Sequence, residues 1–283
     1  MKLSIIVPHY NSPMTLQQLL ETIPVRDEVE IIVVDDNSRK ERAEYNQLMN
    51  TYSNVIFLEN TSGVKGAGSS RNIGLDHATG DWLLFADADD YFVEGFWEIV
   101  EKYIDSDTDV IYFRPTSVHK NSGTLATRHL SYEKYVVDYY NDPQEINERL
   151  LRYQFMVPWS KMIRHTLVQI HHIRFDEVIA SNDVMFSTKV GFYARKISSS
   201  TEVIYCVVDS DESLTKTFTK EIHDARTNVI IEYYLFLKER LSKEEYRTLS
   251  RSVKFVLTNC IRHKLGCKQF VKSYIKLKKN KLI

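Results

Sequence analysis

Apolar residues in the first part of the chain gather in short, nearly unbroken runs rather than at helical spacing. Leu3 to Pro8 (LSIIVP), Glu30 to Val34 (EIIVV), Asn54 to Leu58, Trp82 to Ala86 and Asp109 to Phe113 are each of strand length. Runs that lack polar alternation belong to strands covered on both faces. Between them lie segments suited to turns and helices. Tyr10 to Pro13 leads into a helix through Glu21, a Gly-rich loop leads into a helix over Ala67 to Ala78, and another helix covers Glu94 to Ile104. Strand and helix alternate, which predicts an α/β fold with a parallel sheet and helices on both faces over residues 1–115.

Later segments are less regular. Asn121-Ser122-Gly123 signals a turn or hairpin tip, Tyr132 to Arg152 suggests helix, Val157 to Ile163 (VPWSKMI) a strand, and Ser181 to Phe186 opens a helix running to Tyr193. Thr219 to Arg240 reads as a long helix, and Ser242 starts another. In the tail Val253, Val256, Leu257, Cys260, Ile261 and Leu265 recur at spacings of three and four, as do Phe270, Val271, Tyr274 and Ile275 after Gly266. Both stretches can present an apolar stripe. The expected organisation is one α/β domain in two parts, 1–115 and 116–218, followed by a helical extension over 219–283.

The predicted strands end on polar clusters. Pro8 to Asn11, Asp35 to Ser38 and Asp87 to Asp90 all fall at strand exits, where open α/β sheets bind their ligands. Acids placed for solubility would be scattered along helix faces instead. Asp87, Asp89 and Asp90 close together repel one another and lose hydration, so they are comfortable either solvated and capping the next helix or sharing a cation. Hard carboxylate oxygens without Cys or His spacing suit Mg²⁺ or Mn²⁺, ions usually shared with substrate phosphates. Asp35 or Asp36 could accept a hydrogen bond from a base or ribose, uracil N3–H included, or cap a helix. Ser62 to Gly74 (SGVKGAGSSRNIG) lacks the Gly-Lys-Ser/Thr of a P-loop, and Arg71 stands where a GxGxxG fingerprint needs its third glycine. Arg71 is then either a nucleotide partner or a surface ion pair.

Composition narrows the setting. With 283 residues, 43% of them apolar, the chain can bury a full core. The first apolar run is shorter than the core of a signal peptide, and no membrane-spanning stretch is expected. Three cysteines without a CxxC predict no disulfide framework and a reducing, cytoplasmic setting. The net charge of −1 hides an asymmetry: Tyr246 to Ile283 carries 11 Lys or Arg and no Asp or Glu, leaving 26 basic against 38 acidic residues before it. A basic amphipathic tail predicts peripheral binding to an anionic membrane surface, with packing on the protein itself or on a second subunit as the alternative. Its aliphatic rather than aromatic interleaving argues against nucleic acid.

Taken together, IIVPHYN, IIVVDDNS, SSRNIGLDHATGDWLLFADADD, PWSKMIR and NDVMF resemble the family 2 glycosyltransferases, which have the GT-A fold. The resemblance is most specific over residues 1–92, extends to about residue 190 and is absent beyond about residue 216. It implies an inverting transfer from a nucleotide sugar, a uridine one, to a glycan hydroxyl, on a lipid-linked acceptor in surface or capsular polysaccharide synthesis. By that resemblance Pro8 and Tyr10 line the base site, Asp36 binds uracil, and Arg71 and Asp87 assist the nucleotide. Asp87 and Asp89 form the DxD motif that holds a divalent metal, Asp89 more directly. Trp159 walls the acceptor site, and Asp183 is the catalytic base, with Asn182 departing from the common Glu. Ser213-Leu214-Thr215 matches a loop that closes near the diphosphate, although Asp209, Asp211 and Glu212 precede it where basic residues are commoner. His223 on the long helix is either a further metal ligand or exposed. Two other classes share parts of the pattern. Aspartate-nucleophile phosphatases also carry DxD, but normally after the first core strand, and a non-catalytic nucleotide-sugar-binding protein would keep the fold without turnover.

Overall fold

A computed structural model of the chain describes residues 3–210, 217–250 and 252–283. Its first half alternates as the apolar runs require: β1 (Leu3–His9), α1 (Pro13–Glu21), β2 (Val29–Asp35), α2 (Arg42–Thr51), β3 (Val55–Glu59), α3 (Ala67–His77) and β4 (Trp82–Phe85). There follow β5 (Tyr91–Phe92), α4 (Phe96–Glu101), β6 (Val110–Phe113), β7 (Thr116–His119), α5 (Leu130–Asn141), α6 (Glu145–Gln154), β8 (Lys161–Arg164), α7 (His165–Ile170) and α8 (Val184–Tyr193). The chain then forms β9 (Ile197–Ser200), β10 (Tyr205–Asp209), α9 (Lys220–Arg240), α10 (Lys243–Leu249), α11 (Phe255–Arg262) and α12 (Cys267–Lys279).

Seven strands make the central sheet in the order β3-β2-β1-β4-β8-β6-β9. The four strands at one side are parallel, and every residue of β2 and β4 is buried, as their uninterrupted apolar runs predict. The five strands that residues 1–115 give this sheet, β1 to β4 and β6, run the same way, as expected, but β6 is displaced. It does not lie beside β4: β8 enters between them, antiparallel to both. VPWSKMI is strand only from Lys161 onward, because Ser160 takes a left-handed φ of 54°. A second, three-stranded sheet, β5-β10-β7, closes over the exit of β4. The single helix expected over Tyr132 to Arg152 is two, α5 and α6, split where Pro143 follows Asp142 and a helical backbone cannot continue.

One hydrophobic core fills both faces of the large sheet, and a second joins α6 and α8 to the C-terminal helices. Thr219 caps α9, and Ser242 with Glu245 forms a capping box on α10, as their sequence signals indicate. His223 is buried rather than exposed: its Nε2 lies 3.1 Å from Ser273 Oγ and 3.2 Å from Cys260 Sγ, on the inner side of the C-terminal helices. The tail's first apolar stripe is also partly internal, since Val253, Val256, Cys260 and Leu265 are buried against the protein. Among the described residues no helix is long and apolar enough to cross a membrane.

Candidate active site

Parallel register aligns the strand exits. His9 ends β1 beside Asp35 of β2, and the exits are tied by Asp36 N–H to His9 O (2.7 Å) and Asn60 N–H to Asp35 O (2.8 Å). The two adjacent aspartates then part. Asp35 is fully buried and accepts from Ser38 N–H (2.9 Å), Ser38 Oγ (2.5 Å) and Arg42 (3.1 Å), with His9 Nδ1 2.8 Å away. Burial alone would raise its carboxyl, but the hydrogen bonds from His9 and Ser38 outweigh it and hold the group below its ordinary value. His9 is itself stacked on Tyr45 at 4.7 Å. Asp35 is therefore committed to the scaffold. Asp36 accepts Asn60 Nδ2 (2.6 Å) on one oxygen and Gly66 N–H (2.9 Å) on the other, and each oxygen keeps a lone pair for a ligand. Neither acid caps a helix. Beside them Tyr10 is 51% exposed and Pro8 half-buried at the rim.

Arg71 is not a surface ion pair. It is buried on α3 over the Phe175 ring (5.2 Å), and its guanidinium spans two elements. Nη2 donates to Asp87 Oδ1 at the exit of β4 (2.5 Å), and Nη1 donates to Asn182 Oδ1 ahead of α8 (2.8 Å). This close approach requires Gly68, where a Cβ would meet Asp176 O at 2.2 Å. Asn182, the departure from an acidic residue, thus accepts one bond from Arg71 without neutralising it.

At β4's exit the acids divide again. Asp90 turns inward and is buried, accepting from Tyr205 OH (2.9 Å) and Val208 N–H (2.7 Å). Burial, and then its neighbours Asp89 and Asp87, push its carboxyl well up. Tyr205 OH also accepts the Asp87 N–H (2.8 Å), so one phenol pins both ends of the motif. Asp89 reaches solvent at the mouth, yet crowding by the surrounding protein and then Asp87 raise it, with Arg128 and Lys120 partly offsetting. Asp87 and Asp89 are left as two carboxylates with open positions. Among the described residues no third acid, His or Cys joins them to enclose an ion. Such a pair fits Mg²⁺ or Mn²⁺ completed by phosphate oxygens, not a closed structural site.

Asp183 stands at the N-terminus of α8, half-buried, its side chain making no capping bond. Burial raises its carboxyl and Asp87 adds to that, while Arg71 and Lys161 oppose. Lys161 lies wholly inside, donating to Phe155 O (2.8 Å) between the Tyr112 and Phe155 rings, and burial brings it down to about 7. Trp159, expected to wall the acceptor site, is 2% exposed: it stacks on Tyr205 (6.0 Å) and meets Tyr132 edge-on (5.3 Å), presenting no face to solvent. His223 lies among the C-terminal helices and joins none of these groups. Ser213-Leu214-Thr215 falls outside the described residues.

The family model for glycosyl transferase family 2 matches residues 4–169, which include β1 to β8 and every strand exit described above. The chain belongs to glycosyl transferase family 2. In this chain the DxD follows the fourth strand, β4, whereas the phosphatases that share the motif normally carry it after the first core strand. Among its relatives, EpsH of Bacillus subtilis is 25% identical over 86% of this chain and 71% of its own length. The poly(ribitol-phosphate) beta-N-acetylglucosaminyltransferase TarS of Staphylococcus aureus is 29% identical over 72% of this chain, but that match spans only 35% of TarS. A Campylobacter jejuni GalNAc(5)-diNAcBac-PP-undecaprenol beta-1,3-glucosyltransferase is 33% identical over 33% of this chain and 31% of its own. The fold is that of the crystal structure of S. aureus TarS 1–349 in complex with UDP-GlcNAc, with a TM-score of 0.73 and 22% identity over 96% of this chain and 79% of that one. The GT-A architecture expected from the sequence is thereby established, C-terminal helices included.

Proposed function

We propose that this glycosyltransferase moves a sugar, with inversion, from a uridine diphosphate sugar to a hydroxyl of a lipid-linked or cell-surface glycan. The observation that carries the reading is Arg71, which bonds Asp87 and Asn182 together and so ties the acidic motif to the start of α8, where Asp183 stands. Direct displacement needs a base on the acceptor side and charge stabilisation on the leaving side of the anomeric carbon. The acceptor's proton passes to the Asp183 carboxylate as its oxygen bonds to that carbon. The bond to the diphosphate oxygen breaks with its electron pair, and the single displacement inverts the centre. Raised by burial, Asp183 is suited to take a proton, while Arg71 and Lys161 favour its ionised starting form. Asp89 and Asp87 would hold a divalent ion, which when bound supplies Lewis-acid stabilisation of the diphosphate.

Pro8, Tyr10 and Asp36 would take the base, Tyr10 by its open ring and Asp36 by its spare lone pairs. The TarS complex with UDP-GlcNAc supports uridine, and a mannosyltransferase of Pyrobaculum calidifontis with the same fold (TM-score 0.58), in complex with GDP-Man and Mn²⁺, supports the metal. The poly(ribitol-phosphate) and undecaprenol in the relatives' names support a polymer or lipid-linked acceptor, and a lipid-linked one would bring the enzyme to the inner face of the membrane. Thermal-shift titration with nucleotide sugars tests this, since a ligand of the native state raises its stability. A shift with uridine diphosphate sugars that needs Mn²⁺ or Mg²⁺ supports the reading; no shift with any nucleotide sugar contradicts it.

A further inference from the structure

Helix α12 is docked by its polar side. Gln269 Nε2 donates to Asp224 Oδ1 on α9 (2.9 Å), Lys272 pairs with the same carboxylate, Ser273 meets His223, and Lys276 Nζ donates to Asn228 (2.8 Å). Leu277 is the apolar side chain that α12 fully buries. The opposite face carries Val271, Tyr274 and Ile275, which are 52%, 42% and 58% exposed. An amphipathic helix ordinarily turns its apolar face inward. Here the polar face has found partners in α9, and the apolar face is left to the outside.

We propose that this outward face of α12 is the surface by which the enzyme lies on an anionic bilayer. Charge selects the occupant. Lys268, Lys278 and Lys279 are exposed on the same helix, and no acidic residue occurs from Tyr246 to Ile283. A second copy paired through this face about a two-fold axis would set lysines against lysines, whereas anionic headgroups neutralise them while the acyl boundary takes the apolar side chains. The inference deepens the membrane-proximal reading given above and rests on it only for the choice of a membrane. Vesicle binding and sugar transfer are measured separately, so either can fail alone.

The test is sedimentation of the full chain with vesicles of phosphatidylglycerol and phosphatidylethanolamine, and with phosphatidylcholine vesicles, at low and moderate salt. The wild type should bind the anionic vesicles, more weakly as salt rises, and should bind phosphatidylcholine at least tenfold less. Val271→Asp with Ile275→Asp should weaken anionic-vesicle binding by at least tenfold. Lys268→Gln with Lys278→Gln should weaken it by about 25-fold, at about fivefold per lysine. These side chains make few contacts inside the protein, so unchanged melting temperatures and unchanged nucleotide binding would show that the variants are folded. Absence of wild-type binding, equal binding by the apolar-face variant, or a wild-type dimer that this variant dissolves would each overturn the proposal.

Discussion

Tyr205→Phe isolates one hydroxyl. The phenylalanine ring keeps the packing on Trp159 and Phe92, so no cavity opens and the change is confined to the oxygen. That oxygen accepts the Asp87 N–H and donates to Asp90, in a side chain with no exposure. Its removal strands a backbone donor and one oxygen of a buried carboxyl, although Asp90 keeps Val208 N–H on its other oxygen. At about 1–3 kcal/mol for each of the two unsatisfied groups, the expected loss is about 2–6 kcal/mol. For a chain of this size that is a fall of roughly 3–10 °C in Tm. Urea denaturation of wild type and variant gives the free energy, and calorimetry with a uridine nucleotide and Mn²⁺ gives the second consequence: weaker metal-dependent binding, because Asp87 is no longer fixed at its backbone. A change under about 1 °C together with unaltered nucleotide affinity would refute the claim that Tyr205 organises the acidic motif.

Other outcomes follow from the same geometry. Asp89→Ala should abolish metal-dependent nucleotide binding and turnover while barely changing Tm, because its side chain lies at the open mouth; near wild-type metal-dependent turnover would remove the DxD assignment. Asp36→Ala should weaken uridine diphosphate binding more than it slows transfer from bound donor, since a base contact is made equally in ground and transition states. It should also lower Tm, as Asn60 and Gly66 lose their acceptor. Asp176 has a buried oxygen with no hydrogen-bond partner, and burial, with Glu232 and Asp183 adding, lifts its carboxyl to about 6. Its folded form holds a proton that the unfolded chain releases nearer the ordinary carboxylate value, so stability from this group declines as pH rises between about 4 and 6. Asp176→Asn should therefore raise Tm at pH 7.5 and leave it nearly unchanged at pH 4; equal effects at both would refute the assignment.

What the sequence made legible were features written in one segment. β1, β2 and β4 announce themselves as apolar runs, and their polar exits mark the ligand edge because parallel strands must end there together. Strand β8 was visible as an apolar run, but its antiparallel entry between β4 and β6 depends on the path taken by the intervening chain. Asp35 and Asp36 are indistinguishable as letters; only the register that brings His9 and Ser38 to one, and Asn60 and Gly66 to the other, separates scaffold from site. Tyr205 and Asn60 carry no periodic signal, since a single hydroxyl or amide matters through a partner distant in the chain. Helix α12 shows the limit of periodicity most clearly: its apolar stripe was visible, yet which side faces inward was decided by Asp224 and His223 on α9.

The central claim is that Asp183 removes the acceptor's proton in a cleft whose donor side is built separately. Asp183→Asn keeps the size of the side chain and removes its basicity, and it leaves the Arg71 bonds to Asp87 and Asn182 in place. Donor binding by calorimetry, together with single-turnover transfer to an acceptor glycan, separates the two functions in one variant. Donor affinity within about twofold of wild type and transfer slower by at least about 10²-fold is the predicted result. Transfer at an undiminished rate, or collapse of donor binding, would contradict it.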